Sequence, residues 1–449
     1  MYGNNKPPVA HAGKNTTIIL PVDSVILDGR ASTDDKKIVS YQWTKISGPD
    51  TFKIVLPTAA QTKVNKLVEG VFEFELKVTD ADGLFSKDTV QVTVQPAEQT
   101  EVCDASNRAT ITIQLTPIAS MPFRRWDPTA ATIGNKLLLA GGGLSIGDPA
   151  SVSDVSIYDF STQSWSTAHL SMVRGSMTSA TVGNKVFFAG GEVPGFVGTT
   201  RVDIYDAFTN TWTSSNLPAP TFFAYIAPVG NKVFFTSERA KVDIYDISTG
   251  LWSELNLSQP RTNATSTTVG NKVYFAGGSV DGSIVHLSNV VDIYDNATGT
   301  WSTSSLSQPS SFIGSIYVNG KIYWAGGVLG YDPVRDRDIA TCKVEIRDVS
   351  TQTSSFTNLS RPNEFNYYGK RPIFYKGKII FPAIIYNPQG ATLDIYDPQS
   401  NTWFIGKLPP DILVQSLVLV NNALYAVGND VTSGSEDNYL INQIWKLQY

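Results

Sequence analysis

Apolar and polar residues alternate strictly through GVFEFELKVTDADG (70–83). Phe72, Phe74, Leu76 and Val78 fall on one face, and Val71, Glu73 and Glu75 on the other. A period of two is the mark of a half-buried antiparallel strand. TIILPVDSVILDG (17–29), VSYQWTKISGP (39–49) and DTVQVTVQP (88–96) are strand-like runs of the same kind. Together they predict a β-sandwich in the first hundred residues. Farther on, whole phrases recur: VDIYDAFTNTWT (202–213), VDIYDISTGLWS (242–253), VDIYDNATGTWS (291–302) and LDIYDPQSNTWF (393–404). The Tyr of the phrase falls at Tyr158, Tyr205, Tyr245, Tyr294 and Tyr396, with Arg347 and Trp445 holding its place in two copies. Steps of 40 to 53 residues match four-stranded propeller blades. A second phrase, of the type ATVGNKVFFAGG (180–191), precedes each copy, which makes seven blades.

Each phrase predicts its own local structure. Gly-Asn, Asn-Gly and Lys-Gly pairs inside the second phrase suit tight hairpins between strands one and two. Val-x-Ile-Tyr reads as strand three, and the Asp after it as a cap on the backbone N–H groups of a turn. Four residues beyond that Asp, Asn210, Gly250, Gly299 and Asn401 suit a left-handed backbone, with Gln163 and Gln352 in blades one and five. A Trp then opens strand four, with Phe356 expected in its place in blade five. The last copy, INQIWKLQY (441–449), stops at its third strand. TITIQLT (110–116) is an orphan strand before the first blade, so it is expected to complete blade seven and close the ring.

The first segment resembles a PKD domain, an immunoglobulin-like module, through NKPPVAHAG, LDGRASTDD, YQW and VTDADG; Tyr41-Gln42-Trp43-Thr44-Lys45 stands where the family has its W-D-F-G-D-G centre. The repeats resemble the Kelch family in the double glycine ending strand two, the aromatic after strand three and the Trp on strand four. Blades three and six lack the double glycine. The fold class expected is all-β: an immunoglobulin-like sandwich over 1–97, a linker over 98–109, and a seven-bladed Kelch-like β-propeller over 110–449. The resemblance implies a spacer or adhesion module carrying a propeller, of the bacterial surface or secreted type.

Charge narrows the partners. The net charge is −5, and residues 1–97 carry eleven charges of each sign, so the excess lies in the repeats. With no basic block, nucleic acid and anionic membranes are not expected partners. No apolar run is long enough to span a bilayer. The expectation is a monomeric extracellular or cell-surface protein whose export signal has been removed. The two cysteines, Cys103 and Cys342, fall two blades apart and are expected as free thiols. Asp34, Asp35, Asp80 and Asp82 offer hard oxygen ligands for a calcium ion, although Asp-Ala-Asp-Gly is also an ordinary hairpin turn.

Propeller ligands bind where inter-blade loops gather near the axis. Those loops carry Arg124, Arg125 and Trp126, Arg174, Phe222 and Phe223, Arg261 and Asn263, Phe312, then Asn363, Glu364, Tyr367, Tyr368 and Arg371. Guanidinium forks beside exposed rings suit an acidic sugar or a peptide carboxylate, and the equally simple expectation is that they brace neighbouring loops. The three histidines fall apart, His11 in the first domain, His169 at the outer edge of blade one and His286 in a loop of blade four, so they are not expected to hold one copper, which argues against a copper oxidase. The function expected is non-catalytic binding of an extracellular glycan or protein. The alternatives are a lyase or epimerase acting on acidic polysaccharide or sialic acid, or a purely structural surface protein.

Overall fold

Every regular element of the described chain is a strand, and the strands sort into separate sheets along the sequence. The structure is a computed structural model. It describes residues 5–20, 22–95, 103, 105–145, 152–195, 197–221, 225–236, 241–280, 282, 284, 286–332, 336–365, 371–382, 392–430 and 440–449. The chain divides into two units, Met1–Glu101 and Val102–Tyr449.

In the first unit a four-stranded sheet runs Thr16–Ile19, Phe85–Gln95, Gly70–Asp80, Ile38–Ser47. A smaller sheet is built from Val25–Asp28, Gln61–Asn65 and Lys53–Ile54. The alternation at 70–80 does what its period predicts: Phe72, Phe74, Leu76 and Val78 are fully buried while Val71 stays exposed. Each such side chain contributes roughly 1.5–3 kcal/mol on leaving water. They pack around Trp43, whose indole N–H donates to the Ala59 carbonyl at 3.1 Å. The proposed calcium ligands are not gathered around an ion site. Asp80 is buried, and its Oδ1 accepts the N–H groups of Asp82 (2.9 Å) and Leu84 (2.8 Å). Asp82 pairs with Lys36 at 2.8 Å. The acids hold the turn instead, and no metal-ligating cluster occurs among the described residues.

The second unit is a ring of seven sheets. Blade one shows the plan, with Thr129–Ile133 innermost, then Lys136–Ala140, Asp154–Asp159 and Ser164–His169, all antiparallel. Left-handed residues stand where the repeats require them: Gln163, Asn210, Gly250, Gly299, Gln352 and Asn401 have φ between 53° and 72°. The turn aspartates cap as expected; Asp206 Oδ1 accepts the N–H of Phe208 at 2.9 Å, and Asp397 that of Gln399 at 2.9 Å. The first Gly of each double glycine lets a neighbouring loop approach. A Cβ on Gly141 would sit 2.1 Å from the Arg174 carbonyl oxygen.

Tyrosine and tryptophan of the phrase meet across strands three and four, with ring centroids 5.1 Å apart for Tyr205–Trp212 and 4.8 Å for Tyr396–Trp403. Blade five departs from the expectation. Register places Ser354, not Phe356, opposite Arg347. Ser354 accepts from the Arg347 guanidinium at 2.7 Å and donates to Glu345 at 2.7 Å, so a polar knot replaces the ring pair. Phe356 is half exposed.

Closure also differs from the simple expectation. Gln114–Arg125 completes blade seven, antiparallel to Ile441–Gln448. The preceding stretch, Ala109–Thr112, instead pairs parallel with Thr402–Lys407 as a fifth strand of blade six. Arg108 fastens this strap: it pairs with Asp394 at 2.7 Å, donates to the Asn358 carbonyl, and lies over the Trp403 ring at 4.6 Å. The fold-back brings Cys103 to the start of strand three of blade five. Cys103 and Cys342 are joined in a disulfide with Cα atoms 5.8 Å apart, so the expected free thiols are corrected.

Candidate functional site

The innermost strands stand around the axis and tie to one another through hydroxyls. Ser179 Oγ donates to the Ala130 carbonyl at 2.8 Å, Thr129 Oγ1 to that of Met177 at 3.0 Å, and Thr268 Oγ1 to that of Pro228 at 2.7 Å. Between them opens a cavity of about 310 Å³ at the inter-blade loop end of the channel, and every blade lines it. Blade one supplies Asp127 and Thr129, blade two Ser176, Thr178 and Ser179, blade three Tyr225, and blade four Asn263, Thr265 and Ser266. Phe312 and Ser315, Phe365 and Arg371, and Ser416 come from blades five, six and seven. The chain enters four of these inner strands by a shared bend: Asp127, Ser176, Asn263 and Phe312 all have φ between 46° and 55°.

The loop arginines do not converge on this cavity. Arg174 is fully buried; it pairs with Asp203 at 2.6 Å and donates to the carbonyls of Phe188 (3.0 Å) and Gly190 (3.1 Å). Arg261 pairs with Asp292 at 2.7 Å and donates to the Phe275 carbonyl at 3.0 Å. Arg125 pairs with Asp154 at 2.9 Å. Burial pulls all three guanidinium groups below their ordinary value, and the aspartates oppose it. Asp203 and Asp292 are the first acid of Val-Asp-Ile-Tyr, so the repeated phrase carries the counter-ion of the loop that enters its own blade. Asp394 is the equivalent in blade six, where burial raises its carboxyl despite hydrogen bonds from Ser360 and the Arg108 charge.

Other expected residues divide as follows. Asn263 and Phe312 line the cavity. Asn363 is buried, with its amide bonded to the Pro382 carbonyl at 3.0 Å. Arg124 is exposed, while Trp126 and Glu364 are half-buried, and none of them lines the cavity. Phe222, Phe223, Tyr367 and Tyr368 lie outside the described residues.

Arg371 does reach the channel. Its Nη2 donates to Thr178 Oγ1 of blade two at 3.2 Å, and no carboxylate among the described residues pairs with it. Its side chain is exposed to the open channel. Partial loss of water beside the channel wall lowers its affinity for the proton, and Tyr225 opposes the effect. Asp127, buried at the rim, accepts from Gln415 Nε2 at 2.8 Å. Sequence reasoning missed Tyr225 and the ring of Ser and Thr. Their signal was the run of polar residues in inner strands such as TSATV and TSTTV, which must face something other than the sheet core.

Blades whose strands three and four carry the Tyr–Trp pair, and whose second strands end on Gly-Gly, define a Kelch-type β-propeller, and the unit before it is a PKD domain. The family models agree: a PKD-domain model matches residues 12–94, and "Kelch motif" matches 124–168 and 260–305. Curated relatives match about a fifth of this chain. Low-density lipoprotein receptor-related protein 11 of Mus musculus is 45% identical over 93 residues, 20% of this chain and 19% of that protein. Dyslexia-associated protein KIAA0319 of Homo sapiens is 42% identical over 96 residues, 21% of this chain and 9% of that protein. The chain thus spans less than a fifth of the length of either relative. Both are mammalian, and they lend the expected bacterial origin no support. Among solved structures, YjhT covers 74% of this chain and 99% of its own at 13% identity, with a TM-score of 0.45.

Proposed function

We propose that the chain is an extracellular binding protein whose propeller takes a carboxylate-bearing glycan or protein ligand at the inter-blade mouth of its axial channel. Arg371 carries this reading. A guanidinium on the channel wall, open to solvent and with no carboxylate partner among the described residues, has donors to spare for an anion. The wall hydroxyls that donate to main-chain carbonyls keep lone pairs for ligand O–H or N–H groups. A cavity of about 310 Å³ is at the small end of the ligand-pocket range of roughly 300–1,000 Å³. It suits one sugar ring or one chain end. Asp127, the carboxylate on its wall, is already engaged by Gln415, which favours recognition over the acid–base work of a lyase or epimerase. The disulfide supports an oxidising, extracellular setting.

The test is retention of the protein on a panel of acidic and neutral polysaccharides and peptides, with glycan chain length followed in parallel. Retention on acidic ligands, weakened roughly 10- to 150-fold in Arg371→Ala as a charged hydrogen bond is lost, supports the reading. Shortened chains or new unsaturated ends sink it in favour of an enzyme. Retention indifferent to Arg371→Ala moves the site elsewhere.

A further inference from the structure

We infer that Asn15 and Asn256 are sites of asparagine-linked glycosylation. Five Asn-x-Ser/Thr tripeptides without a central Pro occur, beginning at Asn15, Asn256, Asn263, Asn296 and Asn358. The Ser- and Thr-rich composition produces such tripeptides freely, so the sequence alone does not choose among them. The structure does. Asn15 is exposed just before the edge strand Thr16–Ile19. Its Oδ1 accepts the Gln91 N–H at 2.9 Å, which fixes the amide plane and leaves Nδ2 without a protein partner among the described residues. Asn256 is exposed at the end of Trp252–Asn256, the outermost strand of blade three, and its side chain makes no hydrogen bond among the described residues.

The other three are set against the fold. Asn263 has a left-handed backbone and lines the channel. Asn296 is half-buried with its Oδ1 enclosed against the neighbouring blade. Asn358 is half-buried under the strap, its carbonyl taken by Arg108. An attached oligosaccharide would fill the channel in the first case and displace packed neighbours in the others. The disulfide is the independent observation: the compartment that oxidises Cys103 and Cys342 is the one in which exported chains receive such glycans.

The chemistry needs a lipid-diphosphate-linked oligosaccharide from the cell. The Asn Nδ2 bonds to the anomeric carbon, that carbon's bond to the phosphate oxygen breaks, the lipid diphosphate leaves, and Nδ2 gives up one proton. Both acceptors stand at edge strands, so their glycans would also hinder edge-to-edge pairing with another copy.

This inference rests on the extracellular reading only in requiring export. The full chain is secreted from a eukaryotic cell behind an export signal, then treated with a peptide-N-glycosidase and mapped by mass spectrometry. The expected result is two glycosidase-sensitive steps, at Asn15 and Asn256. Each is lost singly in Asn15→Gln and Asn256→Gln. Ser258→Ala abolishes the second step and Ser258→Thr retains it, which separates loss of the acceptor motif from misfolding. Secreted, disulfide-bonded chain without a sensitive step overturns the inference and leaves the export reading standing. Glycans confined to Asn263, Asn296 or Asn358 overturn it equally.

Discussion

Replacing Asp203 by Ala leaves Arg174 charged, fully buried and without its counter-ion. The guanidinium keeps two carbonyl acceptors, Phe188 and Gly190, but loses the carboxylate at 2.6 Å. The Ser171 N–H loses both its bonds to the same carboxylate, each 3.2 Å. Breaking a buried pair from one side costs about 3–5 kcal/mol. The propeller unit has roughly 350 residues, which at about 2.1 cal/mol/K per residue gives an unfolding entropy near 0.7 kcal/mol/K. The melting temperature of the propeller transition should therefore fall by about 4–7 °C, read by calorimetry so that the two units are seen separately. Arg174→Met combined with Asp203→Leu removes both charges and should restore most of the loss. A fall under about 1 °C in Asp203→Ala, or a double variant no better than the single one, would refute the assignment of Arg174 to architecture and return it to the ligand face.

Removing the disulfide by Cys342→Ser should lower stability by up to about 5 kcal/mol, since it links residues 239 apart in sequence; thermal scans with and without reductant check this, and a variant insensitive to reductant that melts like the parent contradicts it. Turn aspartates should make the propeller acid-sensitive. The Ser350 hydroxyl bond to Asp348 and the Lys378 bond to Asp397 lower each carboxyl from 3.8 to about 2. A lowered folded value means stability present above pH 4 and lost as pH falls through about 2. Unfolding midpoints followed from pH 5 to 2 should drop in the parent and drop less in Asp397→Asn.

Much of the propeller was legible because its determinants are local. A hairpin glycine lies within one short phrase, a capping Asp and the left-handed residue four positions later within the other, and Asn210 at φ 55° and Gln163 at φ 53° sit where that count places them. Blade five shows the limit of reading by residue type. Counting six positions from Asp348 reaches Ser354, but the aromatic Phe356 nearby draws the eye. The bracing role of the loop arginines was hard to read because their partners lie about 30 residues away in sequence, Asp203 for Arg174 and Asp292 for Arg261. A signal existed: an acid recurring inside a buried strand needs a cation. The strap and the disulfide had no such signal. A parallel strand joined by no tight turn leaves no local signature, and only the strap folding back on blade six brings Cys103 beside Cys342.

Ring closure by Gln114–Arg125 against Ile441–Gln448 also sets a timetable for synthesis. The closing strand leaves the ribosome more than 300 residues ahead of its partner, an interval of roughly 15 to 60 s at about 5–20 residues per second. Blades one to six can pair their strands as they emerge, but the seventh waits with an open edge on each side. During that interval the nascent chain is an arc rather than a ring, and holding its two free edges apart from those of other chains becomes a task for the cell's chaperones.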